Sequence, residues 1–245
     1  MKKVLKVLGI ILLVVLIGIA VAGYFMSQPE PEAMPTPEAD QLAEKMLTAM
    51  NKPAWDSTVW LKWNFAGQNQ YIWNKRDHFA RVTMGDDVAF LSTKTQKGKA
   101  FSAGAEVTGA AADKIIEAGW ANFCNDSWWL NAPMKAFDAG TARSIVTLED
   151  GREGLKVEYN AGGVTPGDSY VWILDENNRP TSYLMWVKII PVGGVESTWE
   201  QYETISTGAP IARLHKMGID LVISDVAGGM DYSDVGLTED IFAGM

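Results

Sequence analysis

Residues 7–26 form an unbroken apolar run of 20, preceded by Lys2, Lys3 and Lys6. As a helix rising 1.5 Å per residue, the run spans about 30 Å, the hydrocarbon thickness of a bilayer. That length argues against a purely cytosolic protein. Residues 1–26 are therefore expected to be a retained signal anchor, a single transmembrane helix. The alternative is a signal peptide cleaved near Ala22, after the small-x-small triplet Ala20-Val21-Ala22. The anchor is favoured because the run exceeds a typical cleavable core and no helix breaker precedes the small residues. Tyr24 and Phe25 also fall where an interfacial aromatic belt would lie. In both readings the lysines precede the run, so the positive-inside rule puts the amino terminus in the cytoplasm and the rest outside it. The expected location is the cell membrane, with the carboxyl-terminal part in the periplasm if the envelope is Gram-negative. Cys124 is the only cysteine, which excludes lipid attachment at an amino-terminal one.

Pro29, Pro31 and Pro35 alternate with Glu30 and Glu32 across residues 27–35. Such a stretch prefers extended polyproline geometry, so it is expected not to pack and to act as a stiff spacer. Residues 36–245 are then one extracytoplasmic, β-rich domain, large enough to bury a core without disulfides. Beyond Glu38 the chain carries 27 acidic and 18 basic residues. An excess of that sign repels phosphate backbones, so nucleic acid and anionic membrane surfaces are poor partners.

Thr36-Pro37-Glu38 has the form of a helix start: a hydroxyl cap, proline at the first helical position and an acid in the first turn. Leu42, Ala43, Met46, Leu47 and Met50 recur at helical spacing before Asn51-Lys52-Pro53 closes the element. From Ser57 the period becomes two, with Val59, Leu61, Trp63 and Phe65 on one face. Strands are expected at 70–75, 79–84, 88–92 and 99–102. A second series is expected at 145–148, 155–159, 170–174, 183–190, 198–206 and 219–223, with an Asp150-Gly151 hairpin turn. Between the series, Ala112, Ile116, Trp120 and Phe123 predict a helix over 109–122 with one apolar stripe, followed by a turn-rich segment at 125–133. The expected fold is mainly β (α+β). Its centre is a strongly curved antiparallel sheet, a half-barrel of about ten strands, with an N-terminal helix and an inserted helical lid on the concave side.

In element order, and in Gln70-Tyr71-Ile72-Trp73-Asn74-Lys75-Arg76-Asp77-His78-Phe79-Ala80-Arg81-Val82 and Asn125-Asp126-Ser127-Trp128-Trp129-Leu130-Asn131-Ala132-Pro133-Met134-Lys135, the chain resembles the LolA/LolB lipoprotein-carrier fold. That fold is an incomplete β-barrel with a helical lid around a hydrophobic cavity. The resemblance implies a cavity for an acyl chain or similar apolar ligand. It does not imply lipoprotein transfer, since there is no lipobox and a membrane-spanning anchor would prevent free shuttling.

Motifs for catalysis are sparse. Gly167-Asp168-Ser169-Tyr170 resembles the nucleophile block of a Gly-Asp-Ser hydrolase family, but it leads into a strand, and Ala212 stands where an acid should pair with His215. His78 and His215 lack metal-ligand spacing. Asp175-Glu176-Asn177-Asn178 lacks the glycine and final acid of a calcium loop. The acid pairs Asp86-Asp87 and Glu149-Asp150 lie at predicted turns, which argues against a glycosidase. No catalytic residue, metal site or cofactor is expected. The aromatics carry the functional expectation: Trp63, Phe65, Trp73, Trp172, Trp186 and Trp199 on predicted strands, and Trp120, Trp128 and Trp129 in the inserted segment, as candidate cavity-lining residues. The expected function is a membrane-tethered, non-catalytic binding protein for a lipid or lipidated peptide. The alternative is a structural or interaction module with a solid core, and a hydrolase comes third.

Overall fold

A computed structural model describes residues 27–161 and 166–245. The anchor expected over residues 1–26 lies outside the described residues. Within them, no helix is long and apolar enough to cross a membrane. The protein is mainly β: among the described residues, 14 strands, antiparallel throughout, form two sheets that do not close, accompanied by three α-helices. Helices α1 (Pro37–Ala49) and α2 (Lys52–Ser57) come first. A meander follows, comprising β1 (Trp60–Phe65), β2 (Asn69–Asn74), β3 (Phe79–Met84), β4 (Asp87–Ser92), β5 (Gly98–Ser102) and β6 (Ala105–Val107). Helix α3 (Ala110–Asn131) separates it from β7 (Thr141–Thr147), β8 (Glu153–Tyr159), β9 (Asp168–Leu174), β10 (Pro180–Trp186) and β11 (Val195–Thr198). The chain ends with β12 (Glu200–Thr204), β13 (Pro210–Lys216), β14 (Asp220–Gly229) and a tail.

The nine-stranded sheet is ordered β12-β13-β14-β1-β2-β3-β4-β5-β6 and the five-stranded one β11-β10-β9-β8-β7. Only Trp199 separates β11 from β12, so one length of chain serves as the edge of both sheets. Its amide donates back to the Thr181 carbonyl at 2.7 Å. Alongside it, the Lys216 amide donates to Thr198 Oγ1 at 3.0 Å. Gln201, at φ 55°, bends the chain just past this junction.

Alternation along the strands gives each sheet two apolar faces. Leu61, Trp63, Tyr71, Ala80, Val82, Ala89 and Leu91 share the inner face of the larger sheet, where α3 packs on β3, β4 and β5. Gly119 allows the approach: a Cβ there would lie 2.7 Å from that of Ala89. Helix α1 packs on β7 and β8 and adds Ala39, Ala43 and Met46 to the same core. Thr36 caps α1 as its spacing predicts, accepting from the Ala39 amide at 3.2 Å.

Several boundaries differ from expectation. Three strands, β6, β11 and β13, are additional, the expected 198–206 corresponding to β12, and β13 begins with a proline that masks its alternation. Helix α3 runs to Asn131 instead of ending near 122. Asn125, Asp126 and Ser127 have turn propensity, but Asp126 and Ser127 are buried on the sheet side, where tertiary contacts override it. Strand β10 stops at Trp186 instead of 190, because the Lys188 amide turns aside to donate to Asp168 Oδ1 at 3.0 Å.

The proline-rich segment packs against the domain, contrary to the expectation that it stands clear. It lies as a strap across the outer face of the smaller sheet. The Gln28 amide donates to the Gly193 carbonyl at 3.0 Å and the Gln28 carbonyl accepts from Trp186 Nε1 at 3.0 Å, and Ala33 joins Val146, Leu148, Val171 and Leu184 in an outer apolar cluster. Lys156, whose side chain is only 4% exposed, is the polar centre of the contact. Its ammonium reaches Glu30 at 2.9 Å, the Pro31 carbonyl at 2.8 Å and Glu158 at 3.3 Å, while Ser169 donates to Glu30 at 2.7 Å. A buried cation held this way costs stability when it loses one partner and little when cation and partner go together. Glu30→Ala is expected to lower stability in urea denaturation by about 1–2 kcal/mol, and adding Lys156→Met to recover most of that loss.

Candidate functional site

The inner aromatics fall into two groups along α3. Near its middle, Trp63 stacks on Tyr71 with centroids 4.5 Å apart, and Phe123 of α3 touches both. Trp73 meets Phe123 edge-on at 5.2 Å, and Trp120 lies over it at 6.1 Å. Toward the carboxyl end of α3, Trp128 packs on Tyr170 at 4.4 Å and on Tyr159 at 5.0 Å. Trp129 faces Tyr183 and Trp199, and Trp172 closes the layer at 5.0 Å from Tyr183 and 5.3 Å from Trp199. His215 of β13 sits 4.1 Å from Trp199 and 5.3 Å from Trp129.

Seven of the nine aromatics singled out in the sequence thus enter these ring clusters: three on α3, three on inner strand faces and Trp199 at the junction of β11 and β12. Phe65 packs against the same core without joining a ring pair among the described contacts. Trp186 stands apart: its register in β10 points it to the outer face, beneath the strap. The sequence reading missed Tyr71, Tyr159, Tyr170 and Tyr183, although alternation puts each on the face of a tryptophan or core aliphatic it did identify. His215, considered there only as a base or metal ligand, belongs to the same layer through the unrecognised strand β13.

The polar tips of this lining are largely unanswered. Among the described residues, the indole N–H groups of Trp63, Trp73, Trp172 and Trp199, the Tyr159 hydroxyl and Asn131 Oδ1 are buried without a hydrogen-bond partner. The Trp128 N–H faces the Tyr183 hydroxyl, but the two close no well-aligned bond. Burial raises the phenols of Tyr159 and Tyr183 well above their ordinary range, so both remain donors at any physiological pH. In the other group, Tyr71 donates to Asp126 on α3, and Asn69 Nδ2 reaches the same carboxylate at 3.0 Å. Burial, followed by the Asp126 charge, holds the Tyr71 phenol protonated.

The rings lie against one another. A cleft of about 300 Å³ is lined by Asp56, Thr58, Val59, Lys75 and Arg76 and contains none of the nine aromatics. There, burial lowers the Lys75 amine to about 8, and its ammonium sits 4.0 Å over the Trp55 ring. A recess of about 30 Å³, the size of one water, touches Trp63 alone of the nine.

The residues considered for catalysis are dispersed. Ser169 bonds to the strap on the outer face, whereas His215 is inside the aromatic layer. Burial pushes the Cys124 thiol up to about 11, which suppresses its thiolate. Among the described residues, no three His, Cys, Asp or Glu side chains converge in a way that could hold a metal ion.

His215 Nδ1 lies 3.1 Å from the Thr198 carbonyl, which can only accept, so in the neutral ring this nitrogen carries the proton. Nε2 is left without a partner. Burial depresses the imidazole to about 4, against about 6.5 in an unfolded chain. Between those values the unfolded chain binds a proton that the native one does not, so the contribution is complete above pH 6.5 and is lost as pH falls toward 4. On going from pH 7 to 4.5, the wild type is expected to lose about 2 kcal/mol more stability in urea denaturation than His215→Phe. No protein-family model matches this chain, and no curated protein is similar to it.

Proposed function

We propose that this protein is a membrane-tethered, extracytoplasmic and non-catalytic binding protein. Its ligand is a lipid or lipidated peptide, held between the curved sheet and α3. The reading takes the two sheets, joined along the chain at Trp199, as an open half-barrel resembling the LolA/LolB carriers, with α3 as the lid.

One observation carries it. More than nine in ten buried polar groups in folded proteins are hydrogen-bonded, yet this aromatic layer holds a cluster of unanswered indole, phenol and imidazole groups. Such a lining suits an amphipathic guest: the rings cover its apolar part and the tips bind its polar end. Because the rings touch one another, the guest enters by displacing α3. A second reading, a structural module with a solid core, is favoured by those same ring contacts and by the position of the larger cleft outside the layer.

The two are separated by titrating the full chain with a polyene fatty acid and following energy transfer from tryptophan. A carrier is expected to give transfer that saturates at one ligand per chain, and to release an envelope lipid detectable by mass spectrometry. Transfer that never saturates, with no lipid released, would leave the solid-core module.

A further inference from the structure

The strap fixes more than the outer face of the smaller sheet. Gly193 donates to Ser27 Oγ at 2.9 Å and accepts from the Gln28 amide at 3.0 Å, and Trp186 Nε1 holds the Gln28 carbonyl. Gly194, at φ 75°, leaves no room for a side chain beside Gln28. The 187–194 loop is thus bonded to the residue that directly follows the 20-residue apolar run. Consecutive Cα atoms are about 3.8 Å apart, so a bilayer holding that run lies within a few ångströms of this loop.

The loop suits such a neighbour. It reads Val187-Lys188-Ile189-Ile190-Pro191-Val192, and Ile189 is 68% exposed. Other exposed apolar side chains share its end of the sheets. Thr141, Tyr159 and Asp168 are register partners, as are Ser169 and Trp186, so the 136–140 connection leaves from the same rim as the loop. It presents Phe137, 42% exposed, under the Arg143 guanidinium at 4.3 Å. The turn after β13, which runs past Thr198 toward the start of β11, presents Ile219 at 70% exposure.

We propose that residues 188–192, with Phe137 and Ile219 on the same rim, form a membrane-contacting surface that enters the headgroup layer of the bilayer in which the anchor is seated. This rests on the reading of residues 7–26 as a retained anchor. The contact is apolar: the net charge of −9 gives no attraction to anionic lipid, and the loop's cation, Lys188, sits beside its isoleucines as an interfacial residue does.

The full chain, with Cys124→Ser, is reconstituted into phosphatidylcholine vesicles carrying a single environment-sensitive fluorophore. The label is placed at Ile189→Cys, at Val192→Cys or, at the opposite end of β14, at Met230→Cys. Labels at 189 and 192 are expected to be blue-shifted and quenched about twofold by brominated lipid, unchanged by about 0.5 M salt, while the label at 230 is unaffected. If the chain resists alkaline extraction but the rim labels report water as the label at 230 does, the membrane-contacting rim is overturned and the anchor stands. If the chain is extracted, the anchor reading fails and the rim falls with it.

Discussion

The architecture depends on one continuous piece of chain belonging to two sheets. β11 completes the smaller sheet and β12 opens the larger one, with only Trp199 between them. A flat strand could not serve both, so the bend at Gln201 and the amide bond back to Thr181 set the angle at which the sheets meet. The Trp199 ring lies on the inside of that bend, against Trp172, Tyr183 and His215. The turn between the sheets and the aromatic interior therefore adjoin: the chain bends at Gln201, and Trp199, two residues earlier, joins the cluster it encloses.

Much of this was legible in the sequence because period-two alternation survives burial. β1 to β5, β8 and β9 follow the expected spans closely, as does the capped start of α1, whereas β7 begins at Thr141, four residues ahead of the expected 145. What escaped has specific causes. The end of α3 was hidden because an Asn-Asp-Ser triplet signals a turn, and only the contact of Asp126 with Tyr71 and Asn69 makes a helix there favourable. The end of β10 was hidden because its apolar alternation runs on through Ile189 and Ile190 after the pairing has stopped. Trp186 has the same composition signal as Trp172 and the opposite face, a distinction that register makes and residue type cannot. The strap escaped because proline-rich composition reports backbone stiffness and says nothing of a buried lysine on a distant strand that the strap's Glu30 and Pro31 carbonyl can meet.

The interior combines two tendencies that rarely coexist. Its apolar contacts are dense, with ring after ring at stacking or edge distance, while its polar groups are left unsatisfied. In a core shaped only for stability, tryptophan tips would be turned to carbonyls or replaced by aliphatics. At the seam between sheet and helix, the same rings whose polar tips are unanswered hold α3 against the sheets.

Both outer faces are sealed by the ends of the described chain: the strap over the smaller sheet, and Val235 and Phe242 of the tail over Trp60 and Ile72 of the larger one. The first strand is in turn paired with the last, Trp60 opposite Gly229. Strand β1 can therefore not reach its final environment until the final strand has been synthesised. Contacts so distant in sequence make for slow folding, during which bare strand edges invite wrong pairings. A chain of this topology would gain more from a folding chaperone than its modest size suggests.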